Sequence, residues 1–162
     1  MLKELLVGRA RSVIPEYRLS EAEAREDGAR FIEAEHVLLA LAASDTDAGR
    51  LLVGAGLDRD RLAGALREER RRSLSFAGME HLAKAPTPSG EVDRAISLGT
   101  SAKDALRRGL HAQADRQRRT RLDSIGLLIG VLQAELGTVP RALALAGVER
   151  SALIARARTG EG

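Results

Sequence analysis

The chain has 162 residues, a length that suits one domain with a substantial core or two small subdomains that share one. It contains no cysteine, which excludes disulfides, thiolate catalysis and cysteine-ligated metal sites. Its net charge is +3 from 26 basic and 23 acidic residues, so the clustering of charges matters more than their total.

Few aromatic and β-branched side chains are available to build the core. Aromatic residues make up 2% of the chain and Trp is absent, whereas Leu and Ala are abundant. Leu and Ala are strong helix formers, and sheets favour β-branched and aromatic residues, so we predict an all-α fold. No apolar run is long enough to span a membrane, and residues 1–11 lack the apolar core of a signal peptide. The sequence therefore predicts a cytoplasmic protein without membrane contact.

The first half predicts five helices from apolar spacing and from cap and stop signals. They cover about 2–14, 15–27, 34–43, 48–55 and 58–72. Pro15 separates the first two, because proline is tolerated in the first turn of a helix and not in its interior. The segment 34–43 is apolar on nearly every side and must be buried on nearly every side. Its polar start, with Glu35 and His36, should lie where a buried helix meets solvent, close to free backbone N–H groups.

Residues 73–90 contain turn-forming residues and two prolines, which predicts a linker. Four helices are predicted after it, over about 91–110, 124–134, 139–146 and 149–158. A basic polar segment from Arg116 to Arg121 lies between the first two of these.

The two halves match in order. The string from Ala55 to Leu62 recurs from Ala146 to Leu153, 91 residues later, and Leu38-Leu39 recurs as Leu127-Leu128, 89 residues later. A helical unit that cannot bury its own faces is best explained by two copies packed against each other. We therefore predict a single domain over 1–162 with repeat one at about 15–72, the linker at 73–90 and repeat two at about 91–158.

A family resemblance appears in the same residues. The segment Glu23-Ala24, Gly28, Ile32 and Glu35-His36-Val37-Leu38-Leu39-Ala40-Leu41 resembles the first half of the Clp N-terminal (Clp repeat) domain, in which an EA-x3-G stretch precedes a (T/S)-E-H-(I/L)-L-L-x-L helix. The resemblance covers about 20–158 and looks closest to the ClpC type. It implies a two-repeat helical bundle that binds substrates or adaptor proteins ahead of AAA+ unfoldase modules. No G-x-x-x-x-G-K-[ST] motif occurs, so we expect the N-domain alone, without an ATP-driven motor.

The resemblance also implies a site. In ClpC-type domains the Glu of each motif lies at a pocket that takes a phosphorylated arginine. By position, Glu35 is the acid that faces the guanidinium and His36 lies beside it, while Ala34 replaces the Thr of the motif. In repeat two the matching triplet is Asp123-Ser124-Ile125, in which Ser124 replaces the Glu. Serine cannot form the bidentate pair that a guanidinium makes with a carboxylate, so the second pocket is expected to be lost or altered.

Both candidate groups have a simpler interpretation. Glu35 and His36 also fit a helix-start acid and a histidine at the edge of the core. The basic residues Arg116, Arg118, Arg119 and Arg121 form a candidate contact surface for phosphates or for an acidic partner. They fit a solvated helix face and loop equally well, and no aromatic residue lies beside them to stack nucleic-acid bases.

These observations predict a non-enzymatic binding module with no cofactor and no metal site. No arrangement of nucleophile and base supports hydrolysis, and the three histidines are widely separated in sequence. The expected partners are protein or peptide ligands, including a Clp ATPase or its substrates, with the chain acting as an adaptor or a decoy of a Clp protease system. The alternative is a small basic helical protein associated with nucleic acid.

Overall fold

The computed structural model describes residues 15–84, 96–117 and 122–160. Within these ranges the chain forms eight α-helices, one 3₁₀ helix and two very short strands. In chain order they are α1 (Pro15–Glu26), β1 (Phe31–Ile32), α2 (Ala34–Ala43), α3 (Asp47–Gly54), α4 (Arg59–Phe76), the 3₁₀ helix (Glu80–Lys84), β2 (Ser97–Leu98), α5 (Thr100–Gln117), α6 (Ser124–Leu132), α7 (Thr138–Leu145) and α8 (Arg150–Thr159). The all-α prediction is confirmed. No helix in the described ranges combines the length and the apolar character needed to cross a bilayer.

The helices α5 to α8 repeat the order of α1 to α4. The clearest match is at the end of α3 and α7, where Gly56 and Gly147 take left-handed φ angles of 73° and 72°. Each glycine ends its helix in a conformation that other residues adopt at a cost. The next helix then starts one residue after Asp58 in the first set and after Glu149 in the second.

The centre of the bundle consists of α2 and α6. Every residue from His36 to Ala42 and from Ile125 to Leu132 is buried. Full burial of a Leu or Ile side chain contributes about 1.5–3 kcal/mol, so these two helices provide much of the apolar stabilisation. The remaining helices pack around them, which agrees with the segment 34–43 being apolar on nearly every side.

Helices α5 and α6 approach so closely that their backbones touch. A Cβ atom on Gly130 would lie 2.1 Å from the carbonyl oxygen of Ala105, and one on Gly109 would lie 2.7 Å from the carbonyl oxygen of Gly126. Arg108 also donates a 2.9 Å hydrogen bond from Nε to the Gly130 carbonyl. These glycines allow a helix crossing that no larger residue would permit.

Polar contacts join the two repeats around this apolar centre. They are the parallel pair of β1 with β2, the Tyr17 hydroxyl bond to the Ile96 carbonyl (3.0 Å), the Ala48 N–H bond to Ser124 Oγ (3.4 Å), the Arg61 bond to the Ala146 carbonyl (3.1 Å) and the Arg141 Nε bond to Glu69 (2.7 Å). The Glu69 carboxylate is almost fully buried and also accepts a hydrogen bond from Ser73. The repeats therefore pack as one body, with bonds distributed along their interface.

Three sequence-based boundaries differ from the structure, one of them the end of α5, which lies at Gln117 and not at about residue 110. The helix predicted to begin at Glu91 starts at Thr100, because Ser97 and Leu98 are extended and pair with β1. Helix α4 continues four residues beyond the predicted end and stops before Gly78, whose φ is 70°. The predicted helix 2–14 and residues 85–95 around the end of the predicted linker lie outside the described residues.

Replacing Gly130 by Ala tests the close α5–α6 crossing. The new methyl group would meet backbone atoms that cannot move aside, so we expect Gly130→Ala to lower the free energy of unfolding by about 3 kcal/mol. Gly64 is the matched control, because its Cβ would meet nothing within 4 Å in the middle of α4. There the same substitution should raise stability by up to about 1 kcal/mol. Urea unfolding followed by circular dichroism measures both, and equal effects at the two positions would contradict the crossing.

Candidate functional site

The site predicted from the sequence lies where α2 begins against the start of α5. Glu33, the residue before α2, is extended and turns its carboxylate toward α5. That carboxylate accepts hydrogen bonds from the backbone N–H (3.1 Å) and the hydroxyl of Ser101, and Ser101 Oγ in turn accepts one from the Ala34 N–H (2.8 Å). Each helix start is thus capped by a residue of the other. Gly99 is needed here because a Cβ at that position would overlap the Glu33 carboxylate.

His36 is a structural residue of this helix start. Its side chain is buried, with 2% of the residue exposed. Nδ1 accepts a 2.9 Å hydrogen bond from the Glu33 N–H, so the neutral ring carries its proton on Nε2. Nε2 lies 3.5 Å from a carboxylate oxygen of Asp27. Nδ1 therefore holds the first turn of α2 together, and Nε2 links that turn to Asp27, the residue after α1, which favours the core-edge interpretation for this histidine.

Ala34 has no polar group to offer a ligand. It is 4% exposed, its methyl group belongs to the core, and its N–H is taken by Ser101. The N–H of His36 bonds to the Glu33 carbonyl at 3.1 Å. The expectation of free N–H groups at this helix start is therefore wrong for both residues, because contacts from within α2 and from α5 use them.

Glu35 differs from its neighbours because it has no partner from another residue within the described ranges. It is partly buried, and this burial raises the pKa of its carboxyl above the usual value, against a hydrogen bond from its own backbone N–H that lowers it. The nearby carboxylates of Glu33 and Asp27 raise this pKa further, while His36 lowers it. A carboxylate held in this way can bind a cation.

A second carboxylate and one cation complete the site. The hydrogen bond from His36 lowers the pKa of Asp27, against a smaller effect of burial, and Arg70 of α4 lowers it further. The distance from Arg70 Nη1 to the Asp27 carboxylate is 3.5 Å. We call Asp27, Glu33, Glu35, His36 and Arg70 the repeat-one site; it lies at the junction of α1, α2 and α4, with α5 behind it.

The structure aligns α6 with α2 one residue away from the alignment that their leucines gave in the sequence. Asp123 precedes α6 as Glu33 precedes α2, which sets an offset of 90 residues. Ile125, and not Ser124, therefore stands opposite Glu35, and Gly126 stands opposite His36. Asp123 caps its own helix through a 2.6 Å bond from the Gly126 N–H, and the Ser124 hydroxyl accepts from α3 of repeat one.

The first helix of repeat two also ends differently. The pattern Glu23-Ala24-x3-Gly28 matches Asp104-Ala105-x3-Gly109, which places Arg108 opposite Asp27. Helix α1 stops before Gly28, whose φ is 65°, whereas α5 continues past Gly109 to Gln117. This α5 extension (110–117) brings Gln113 against Gly126, where a Cβ would lie 2.6 Å from the Gln113 side-chain oxygen. Repeat two thus keeps an acid, Asp123, opposite Glu33, but it has no acid opposite Asp27 or Glu35 and no histidine opposite His36. Gln113 of its own chain lies beside the start of α6.

The structure describes only part of the basic segment from Arg116 to Arg121. Arg118, Arg119 and Arg121 lie outside the described residues, as does the side chain of Arg116. Of the preceding arginines, Arg107 bonds to Asp104 at 2.7 Å and Arg108 bonds to α6. Across the described ranges, no group of three or more His, Asp or Glu side chains is placed to hold a metal ion.

Solved structures share this fold. The N-terminal domain of ClpD, a caseinolytic-protease-associated chaperone from Arabidopsis thaliana, matches with a TM-score of 0.63 and 20% identity over 89% of this chain and 88% of that one. A structure described as part of a malarial protein secretion system matches with a TM-score of 0.63 and 18% identity over 92% of this chain and 95% of that one. No family model and no curated protein matches the sequence. The chain therefore has the all-α fold of a Clp N-terminal domain.

Proposed function

We propose that this chain is a non-catalytic binding module of the Clp N-domain type, which binds peptides or adaptor proteins that present a basic side chain. The observation that carries the proposal is Glu35. Within the described residues it is a partly buried carboxylate without a partner from another residue, at the junction of three helices. The fold supports the proposal as well, because one solved structure of this fold belongs to a chaperone associated with a protease.

The chemistry of the site suits a guanidinium group. Arginine presents its donors in a planar fork that matches a carboxylate in bidentate fashion, and such charge-assisted bonds are about twice as strong as neutral ones. A bound cation would also relieve the repulsion between Glu35 and the carboxylates of Asp27 and Glu33. Lysine would satisfy the charge without the bidentate geometry. The phosphorylated arginine implied by the family resemblance is a further guanidinium ligand for the same carboxylate.

The cellular role that we propose is that of an adaptor or decoy in a Clp protease system. A domain with one peptide site can deliver a bound protein to a Clp ATPase or withhold it from that ATPase. The cytoplasmic location predicted from the sequence stays part of this proposal.

Glu35→Gln tests the proposed binding. The substitution keeps the shape and removes the charge, so we expect the affinity for arginine-containing peptides to fall at least about tenfold, the loss of one charged hydrogen-bonded pair. Glu135→Gln is the matched control, because Glu135 is exposed in the loop between α6 and α7 of repeat two. Fluorescence anisotropy with a set of arginine-containing peptides measures the affinities. Equal binding by wild type and both variants would refute the proposed role of Glu35.

The same variant shows whether Glu35 serves folding. Because burial raises its pKa in the folded state, the ionised carboxylate disfavours folding at pH values above that pKa. Glu35→Gln should therefore raise the Tm at pH 7 by about 2 °C, and the gain should shrink as the pH falls through the raised pKa and Glu35 becomes protonated. Thermal unfolding at pH 7 and pH 4 measures this difference. A lower Tm at pH 7 would assign Glu35 a structural role.

A further inference from the structure

One buried side chain of α5 has no hydrogen-bond partner. Gln113 is 0% exposed, and within the described residues neither the nitrogen nor the oxygen of its side-chain amide bonds to another group. Burying an amide without such bonds costs free energy, because water satisfies both atoms when the side chain is exposed. His36 and Glu69, which are also buried, both have partners. The α5 extension (110–117) is therefore held against α6 at a cost.

The rest of the α5 extension offers little apolar burial to offset that cost. Up to Gly109, α5 crosses α6 in backbone contact. Beyond it, Gln113 is the one buried side chain among residues 110–114, whose side chains the structure describes. A segment with few buried apolar contacts opens at a lower free energy than the core of the same domain. The extension thus combines a penalty for closing with weak apolar support.

Neither helix beside the extension depends on it. The first turn of α6 is capped by Asp123, which accepts a 2.6 Å hydrogen bond from the Gly126 N–H. Gln113 touches α6 at Gly126, where a Cβ would lie 2.6 Å from the Gln113 side-chain oxygen, but the amide makes no hydrogen bond there. In repeat one, α2 is buried although α1 already ends at Glu26. Separation of Gln113 from α6 therefore breaks no hydrogen bond of this side chain and removes no cap.

We propose that the α5 extension is a detachable strap, which opens from α6 as a unit while the rest of the domain stays folded. Opening brings the Gln113 amide into water, where both of its polar atoms find partners, and it uncovers Gly126 at the start of α6. Repeat one has no such strap, because α1 stops before Gly28. The strap gives repeat two a closed and an open state, and it is independent of the function proposed for Glu35.

Native-state hydrogen exchange of backbone amides tests the strap. In the wild type, the amides of 110–117 should exchange at least about tenfold faster than those of 104–109 in the same helix. Gln113→Leu removes the buried amide at similar size, so it should slow the exchange of 110–117 at least about tenfold. Gln133→Leu is the matched control, because Gln133 is only partly buried at the end of α6, and it should leave that exchange unchanged. Unchanged or faster exchange in Gln113→Leu, or equal slowing in both variants, would overturn the inference.

Gln113→Glu tests whether the extension opens alone. The substitution keeps the shape but places a charge without a partner in the closed state, so it should speed the exchange of 110–117 at least about tenfold at pH 7. The amides of α2 should keep their wild-type exchange rates, because the rest of the domain stays folded. Acceleration of the α2 amides by the same factor would show that the extension opens only when the whole domain unfolds. That result, or unchanged exchange in 110–117, would overturn the inference.

Discussion

The arrangement of the site follows from the meeting of two helix starts. An N-cap side chain usually accepts a hydrogen bond from its own first turn. Glu33 instead reaches across to Ser101 of α5, so other groups must satisfy the first turn of α2. Ser101 takes the Ala34 N–H, and His36 turns back to the Glu33 N–H. Glu35 is then the acid of this turn that has no partner from another residue in the described ranges.

The two repeats illustrate two ways to end the first helix of the unit. In repeat one, α1 ends before Gly28, and the buried His36 side chain contacts Asp27 just before that glycine. In repeat two, Gly126 has no side chain, so α5 can run on and place Gln113 in that space. A Cβ at position 126 would meet the ends of the Gln113, Leu122 and Asp123 side chains, which would have to shift. Repeat one therefore has a short first helix beside a histidine, whereas repeat two has a longer first helix beside a glycine.

Much of the fold could be predicted from local signals in the sequence. Pro15 marks the start of α1, α4 begins one residue after the predicted 58, and the helices predicted over 48–55 and 139–146 lie within one residue of α3 and α7. The register between α2 and α6 could not be predicted from their leucines. Both helices are apolar on nearly every side, so a shift of one residue still presents a leucine to the core. Only the cap residues, Glu33 and Asp123, fix the offset.

The site itself was less accessible to sequence reasoning. Glu35 and His36 were identified through a family resemblance, whereas the spacing alone fits an ordinary helix start. Ser101 and Gly99 gave no signal, because they contact Glu33 from more than 60 residues away in the chain. In the sequence alone, Asp27 and Arg70 look like surface charges on two separate helices. Their placement depends on how α1 and α4 pack against α2, which no local pattern specifies.

Two opposing effects act on Glu35, and their balance connects stability with binding. A carboxylate in the first turn of a helix is favoured by the helix dipole, typically by 0.3–1 kcal/mol. Burial and the neighbouring carboxylates disfavour the same charge, and the raised pKa of Glu35 shows that these unfavourable effects prevail. A glutamine at this position would avoid the penalty and fill the same volume. Ionised Glu35 thus lowers the stability of the free domain, and a bound cation would remove this penalty.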